Sequence, residues 1–516
     1  MSANIKGLII VLAFSIPLFA AAKSTALLFT APADFARRRN IWLILTTAAF
    51  LSPNFWIFAA VAGPLLYWGG KKDTNTFGFY LLLFTVVPAL SFPIPTVMVN
   101  KLFDLNILRL LSLCVLVPCA FRLRKFKELR ELQGLKTTDF VLLSFGLVQV
   151  LLFVPPDLRN HVLLQNSITN ILRTALLFLI DVYALYYVAS RSCQDRAKLL
   201  DALSAFCLSC CLMATIAIFE SVKHWLLYAD FAARWGANAL LSEYYLRGAL
   251  VRAQASSGGP LALSSFLVIA LGLWLYLRSH VKQATTRFAV EFLFCAGLLV
   301  TFSRGPWLAG VVTYFVFLVL DSRGDSNVFR SVLIFGLICG VLLASPLGTQ
   351  VSDMIPFMGG HVGTNDLTYR ELLLQQSWQV IKSHPILGDQ LAWMKLQDLR
   401  QGEGIIDIVN TYLSIMLFYG AVGLSLFLTF QFAPLARIRR LSKARRDLDP
   451  DLARLGASFI AVMIGMTILL FNSSLVSSPE CAFYAVVGAA CAYPAYFRLD
   501  SSRQLPLRTD KLVSTS

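Results

Sequence analysis

The stretch Pro260–Arg278 reads PLALSSFLVIALGLWLYLR, eighteen residues without a charge before the closing arginine. As an α-helix those eighteen residues are about 27 Å long, close to the ~30 Å hydrocarbon core of a bilayer. The stretch therefore reads as a membrane-spanning helix. On either side of it apolar runs recur along the chain, most of them within the about 17–25 residues a spanning helix needs. They lie near 5–22, 77–94, 107–121, 137–155, 169–189, 199–219, 409–430, 455–475 and 480–497. Two longer apolar runs are interrupted, 41–70 at Ser52-Pro53-Asn54 and 287–320 at Ser303-Arg304-Gly305-Pro306, and 331–346 adds a short one. The first interrupted run reads as two short spans or a re-entrant hairpin. Of the 516 residues 57% are hydrophobic and 14% charged, against about 45–50% and about 25% in soluble domains. That shortage of charge excludes a soluble enzyme, a disordered chain and a collagen-like fibre. The expected fold is all-α, a polytopic integral membrane protein of about 12–15 helices with one long external loop carrying short helices.

The net charge of +16 is a topology signal before it is a hint of nucleic acid. Alternating the spans puts Arg37–Arg39, Lys71-Lys72, the groups within 122–136, 191–198, 278–287 and 437–454, Arg323 with Arg330, and the tail from Arg498 on one face. These hold about 30 of the 45 Lys and Arg residues, and the positive-inside rule makes that face cytoplasmic. No nucleic-acid partner is expected. Residues 5–22 look like the apolar part of a signal peptide, but no small-x-small cleavage site with a soluble domain follows. They read as a retained first helix that enters from outside. Cys207-x-x-Cys210-Cys211 has redox or zinc spacing, yet without nearby His or further thiols on an apolar helix these are small packing residues. There is no Walker-type GxxxxGK[ST] motif, no solenoid period and no visible inverted repeat. The chain divides into N-terminal helices (1–219), a core with external loops at about 220–259 and 347–408 (220–430), and a C-terminal helical pair with a tail (431–516). A further short external loop falls near 156–168.

Polar residues gather at the external edge in four places. Tyr244 to Pro260 brings Arg247 and Arg252 ahead of the small-residue run Ala253–Gly259, just before a helix N-terminus, the kind of place that holds phosphate. An interfacial arginine ahead of a helix has the same look. In Thr301–Trp307, Ser303 is a plausible N-cap and Pro306 fits a first helical turn, while Arg304 sits between two apolar runs. A charge there has a polar task, or snorkels beside a tight hairpin. In the long loop, Thr368-Tyr369-Arg370-Glu371 opens an amphipathic pattern through 381 that ends at His384-Pro385-Ile386-Leu387-Gly388-Asp389. His384 is a catalytic candidate or a structural histidine. Finally, Asp407, Asn410 and Tyr412 lead into a helix with Gly420 and Gly423, where either Asp407 or Asn410 would also serve as a cap.

The order of these motifs resembles the O-antigen ligase and O-antigen polymerase (Wzy-type) superfamily of bacterial envelope membrane proteins. The resemblance rests on Arg252…Pro260, Ser303-Arg304-Gly305, Arg370…Pro385-x-x-Gly388 and Asn410-x-Tyr412-Leu413…Gly420-x-x-Gly423-Leu424, and covers roughly residues 245–430. It implies glycosyl transfer at the outer face of the inner membrane from a polyprenyl-pyrophosphate-linked saccharide, with no cofactor and no metal. Membrane lipids and further polysaccharide assembly and export proteins are the implied partners. Arg252, Arg304 and Arg370 suit the negative charge that develops on a departing pyrophosphate. With them, Asp407 and His384 are the catalytic candidates, and Arg247, Ser303, Asn410 and Tyr412 the substrate-binding ones. Ligases of the superfamily carry a histidine directly before the loop-end asparagine; here that position is Val409. No residue inherits the base role directly, and Asp407, Glu403 and His384 are the candidates in reach. A polymerase of exopolysaccharide or O-antigen repeat units is expected, ahead of a ligase that transfers glycan to lipid A-core. A lipid-linked glycan transporter would share the helix count, but it calls for charges spread through the helices near the midplane. Asp181 and Glu291 are the clearest of the few here.

Overall fold

Asparagine and aspartate start several of the helices. Asn54, Asp195 and Asp449 each accept a first-turn backbone N–H, at 3.0, 3.0 and 2.9 Å, satisfying donors a helix leaves open at its start. The computed structural model describes residues 2–95, 101–125, 133–152, 168–237, 246–247, 250–321, 364–400, 406–444, 448–475 and 478–497. They form α1 (Ala3–Ala26), α2 (Pro32–Leu51), α3 (Phe55–Lys72), α4 (Thr76–Leu83), α5 (107–125), α6 (Gln133–Leu152), α7 (168–192) and α8 (Arg196–Lys223). There follow α9 (Ala229–Arg234), α10 (Pro260–Leu277), α11 (Ala284–Leu299), α12 (Arg304–Leu320), α13 (Thr364–Ser383), α14 (Thr411–Ala444), α15 (Pro450–Asn472) and α16 (Ser478–Ala492). Helices α5 and α7 each carry a π-turn, at Ser112–Leu116 and Phe178–Tyr183. The described strands are two short antiparallel pairs, Phe92–Pro93 with Asp104–Leu105 and Leu246–Arg247 with Leu250–Val251. Among the described residues seven helical segments are long and apolar enough to cross a membrane. The chain is an all-α, multi-pass membrane protein.

Helix α10, the stretch quoted first, lies at the centre. Every residue from Leu263 to Leu277 is buried, and α8, α11, α12 and α15 pack around it. A helix apolar on all sides is at home only where it is surrounded. Between lipid-embedded helices the association comes from close packing.

Two expected spans differ from the structure. The apolar run at 77–94 is helical only to Leu83; beyond it Pro88 has no N–H to continue the ladder, and the chain runs irregular through Ala89. The run at 409–430 is not one straight helix. Within α14 the backbone leaves helical geometry at Gly420 (φ 61°, ψ −162°) and doubles back. The Tyr412 hydroxyl consequently lies 3.0 Å from Gln431 Oε1, a pair that a straight helix would hold about 28 Å apart. The interruption of 41–70 separates α2 from α3, and that of 287–320 separates α11 from α12. The expected span at 331–346 and nearly all of the loop near 156–168 lie outside the described residues.

At the helix ends that carry the basic clusters, arginines pair with carboxylates of neighbouring helices. Arg38, 2% exposed, donates to Asp73 at 2.9 and 2.7 Å and to Asp201 at 2.8 and 2.8 Å. Those four bonds join α2, the turn after α3 and α8. Arg191 reaches Asp139 at 3.0 Å, Arg278 reaches Glu291 at 2.8 Å and Arg454 reaches Asp321 at 3.3 Å. Part of the basic surplus that marks this face is therefore internal cement.

Candidate active site

The other end of the bundle is where the external-edge residues meet. Segment 250–259 enters the bundle without forming a helix, and its residues Ala253 to Ser257 are buried. Irregular backbone at such depth must be satisfied by protein. Glu220, in the last turn of α8 and 0% exposed, does this. Its carboxylate accepts the N–H groups of Leu227 (3.0 Å), Gln254 (3.1 Å) and Ala255 (2.8 Å). Ser256 donates to the Thr85 carbonyl in the irregular stretch after α4. Ala255 has a positive φ of 46°, a conformation costly for a residue with a side chain and characteristic of functional loops.

This segment presents Arg252 to the turn between α11 and α12. The Arg252 guanidinium donates to the Thr301 carbonyl (3.2 Å) and to Ser303 Oγ (2.8 Å), while the Ala253 N–H donates to the Val300 carbonyl (3.2 Å). Phe302, between the two contacts, is also forced to positive φ (47°). Ser303 precedes α12 as expected of a cap, but its hydroxyl donates to the Thr301 carbonyl at 3.0 Å and receives Arg252 instead. Arg304, half-buried, opens α12. Gly305 follows and lies against Asn472, the last residue of α15. A Cβ on Gly305 would stand 2.8 Å from Asn472 Cβ and 2.9 Å from its Cγ.

Asn472 is also where Arg370 arrives. From α13, its guanidinium donates to Asn472 Oδ1 (3.3 Å) and to the Asn472 carbonyl (3.4 Å). The neighbouring Tyr369 hydroxyl donates to the Asp407 carbonyl (3.0 Å) and accepts the Asp407 N–H (3.1 Å). Asp407 is thereby clamped beside Arg370. Burial pushes the Asp407 carboxyl up, against the pull of the Arg370 guanidinium, which lowers it. The Arg252, Arg304 and Arg370 segments thus share one neighbourhood, linked through Ser303, Gly305 and Asn472. It lies at the helix ends opposite the basic loops.

The remaining candidates serve other roles or lie apart. His384 is exposed and touches Ser383 (3.0 Å); fourteen residues of helix rise from Arg370 separate them by about 21 Å. Asn410 caps α14, its Oδ1 accepting the Leu413 N–H at 3.1 Å, and Tyr412 turns down to Gln431. Arg247 is described only in its backbone, in the short hairpin that leads to Arg252. Glu403, Tyr244 and Tyr245 lie outside the described residues.

Two of the quoted motifs prove to be one device. The turn Pro385–Gly388 docks into the break at Gly420: the Pro385 and Ile386 carbonyls accept the N–H groups of Ala421 (2.9 Å) and Val422 (3.2 Å), and the Asp389 N–H donates to the Leu417 carbonyl (2.7 Å). These bonds satisfy the groups that the interrupted helix leaves open. A Cβ at Gly388 (φ 72°) would lie 2.6 Å from Gly420 N, and one at Gly420 would lie 2.3 Å from the Ile386 carbonyl oxygen.

Sequence reading did not find Glu220, Asn472 or Ser473. Signals were present: a lone carboxylate at the end of an apolar span, and the polar run Asn472-Ser473-Ser474 at the end of another. Compared with known families, residues 288–428 match the family model described as O-antigen ligase (Wzy_C), which supports the O-antigen ligase and polymerase superfamily. The matched segment includes Arg304, Arg370, Asp407 and Gly420, while Arg252 and Asn472 fall outside it. No curated protein matches the chain.

Proposed function

We propose that this membrane protein of polysaccharide assembly is a polymerase. It transfers a growing glycan from a polyprenyl-pyrophosphate carrier onto a lipid-linked repeat unit, at the outer face of the inner membrane, in exopolysaccharide or O-antigen biosynthesis. The observation that carries this reading is the gathering of Arg252, Arg304 and Arg370 at the helix ends opposite the basic loops. In the reaction the acceptor hydroxyl attacks the anomeric carbon. The bond from that carbon to the pyrophosphate oxygen breaks, and the electron pair leaves with the carrier. Preoriented guanidiniums stabilise that developing charge most where water is scarce, and their planar fork suits phosphate oxygens. Arg252 is oriented by Ser303 and Thr301, and Arg370 by Asn472. This charge set makes the transfer metal-independent. Asp407, held by Tyr369 beside Arg370, takes the proton of the acceptor hydroxyl; burial raises its basicity relative to a free aspartate.

Val409 favours polymerase over ligase, since ligases of the superfamily hold a histidine at that place. The deciding experiment uses purified protein in liposomes with lipid-linked repeat units. A ladder of products is expected. A single transfer onto lipid A-core would assign a ligase, and movement of unchanged substrate across the bilayer would assign a transporter.

A further inference from the structure

We infer that Asn472 is a positioning residue of the transfer site: a neutral anchor that orients Arg370 toward the pyrophosphate without cancelling its charge. This inference rests on the proposed reading of the arginine site. Four contacts carry it. Asn472 Nδ2 donates to the Ile468 carbonyl at 2.9 Å, which fixes the amide so that Oδ1 faces outward. That oxygen and the Asn472 carbonyl take the two ends of the Arg370 fork, at 3.3 and 3.4 Å. On its other side the Asn472 side chain bears on Gly305, where an added Cβ would lie 3.2 Å from Oδ1, so the turn that carries Arg304 leans on the same amide. The next carbonyl, of Ser473, accepts the N–H (3.2 Å) and hydroxyl (2.7 Å) of Thr411. One two-residue strap thus joins the starts of α12 and α14 to α13, which carries Arg370.

The choice of amide over carboxylate is what assigns the role. Aspartate has nearly the same shape and would hold a guanidinium more firmly. It would also give Arg370 an internal counter-ion in competition with the substrate. Among the described residues no carboxylate stands within salt-bridge distance of Arg370; Asp407 acts on it through space without forming an ion pair.

The test compares Asn472→Asp, Asn472→Ala and Arg370→Gln in liposomes, reading donor KM, kcat, inhibition by inorganic pyrophosphate and Tm. Asn472→Asp trades the Nδ2 bond to the Ile468 carbonyl for a firmer hold on the guanidinium; Tm is expected to move little, donor KM to rise about tenfold or more, and pyrophosphate inhibition to weaken in parallel. Asn472→Ala removes the Oδ1 contact and leaves the guanidinium on the backbone carbonyl alone, and kcat/KM falls about tenfold at little cost in Tm. If Asn472→Asp keeps the wild-type KM and pyrophosphate inhibition while Arg370→Gln loses activity, the anchor role is wrong and the site reading stands. If Arg370→Gln itself transfers at the wild-type rate, the site reading has failed. Should Asn472→Asp not fold, Asn472→Ala decides: wild-type kcat/KM overturns the inference.

Discussion

Arg38 and Arg370 carry the same guanidinium at opposite ends of the helix bundle, and their surroundings contrast. Arg38 is enclosed, with four charge-assisted bonds to Asp73 and Asp201. Arg370 is exposed and moored to the amide and carbonyl of Asn472. A charge closed off by carboxylates joins helices. A charge held by neutral oxygens is steered while keeping its field, as a site for an anion requires. In a chain with 45 basic residues, the partner of an arginine says more about its task than its presence does.

Substitutions at the two ends should therefore fail in different ways. The largest effect is expected for Arg38→Ala, which strands Asp73 and Asp201 as buried charges and costs about 3–5 kcal/mol. Size-exclusion profiles in detergent should lose the monodisperse peak, and a fully folded variant would break the contrast. Arg370→Ala should leave Tm nearly unchanged and lower the transfer rate about a hundredfold to a thousandfold. An equal loss of Tm at both ends would erase the distinction. Gly420→Ala should follow, because its φ and the nearby Ile386 carbonyl both oppose a Cβ; the cost is about 1–3 kcal/mol. Limited proteolysis within 384–400 should then accelerate while the Arg38 end stays protected. Ser303→Ala removes one of the bonds that orient Arg252 and should lower kcat/KM by about five- to tenfold, near 1 kcal/mol. The smallest effect is a shift in pH dependence. Arg370 holds the Asp407 pKa down against burial, so the residual activity of Arg370→Gln should show its acidic limb at higher pH than the wild type. An acidic limb that does not move would remove Asp407 as the base.

The arginines of the proposed site stand out in the sequence because each breaks a local expectation. Arg304 interrupts an apolar run beside Gly305 and Pro306, and Arg252 and Arg370 lie on the face where basic residues are scarce. The central helix was legible for the plainest reason, an unbroken apolar length. The end of α4 at Leu83 was not, because the chain stays apolar through Phe84–Ala89 and hydrophobicity does not distinguish helix from buried irregular backbone. Glycines 388 and 420 were visible as motifs, but their contact is made by backbone groups thirty-odd residues apart, which carry no side-chain signature. Asn472 reads as an ordinary helix end; only the folded chain brings Gly305 and Arg370 to it. His384 is attractive by chemistry alone, and the length of α13 carries it away from Arg370.

The mooring of Arg370 also fixes a timetable. Asn472 leaves the ribosome 102 residues after the arginine it holds, a delay of about 5–20 s at ordinary synthesis rates of ~5–20 residues per second. Glu220 waits only 34 residues for Gln254, so the loop bearing Arg252 can settle early in membrane insertion. The nascent protein thus assembles the proposed transfer site in two instalments. It stays incomplete until the penultimate described helix has been threaded into the bilayer, and chains cut short before that helix should be inert however well their earlier helices are inserted.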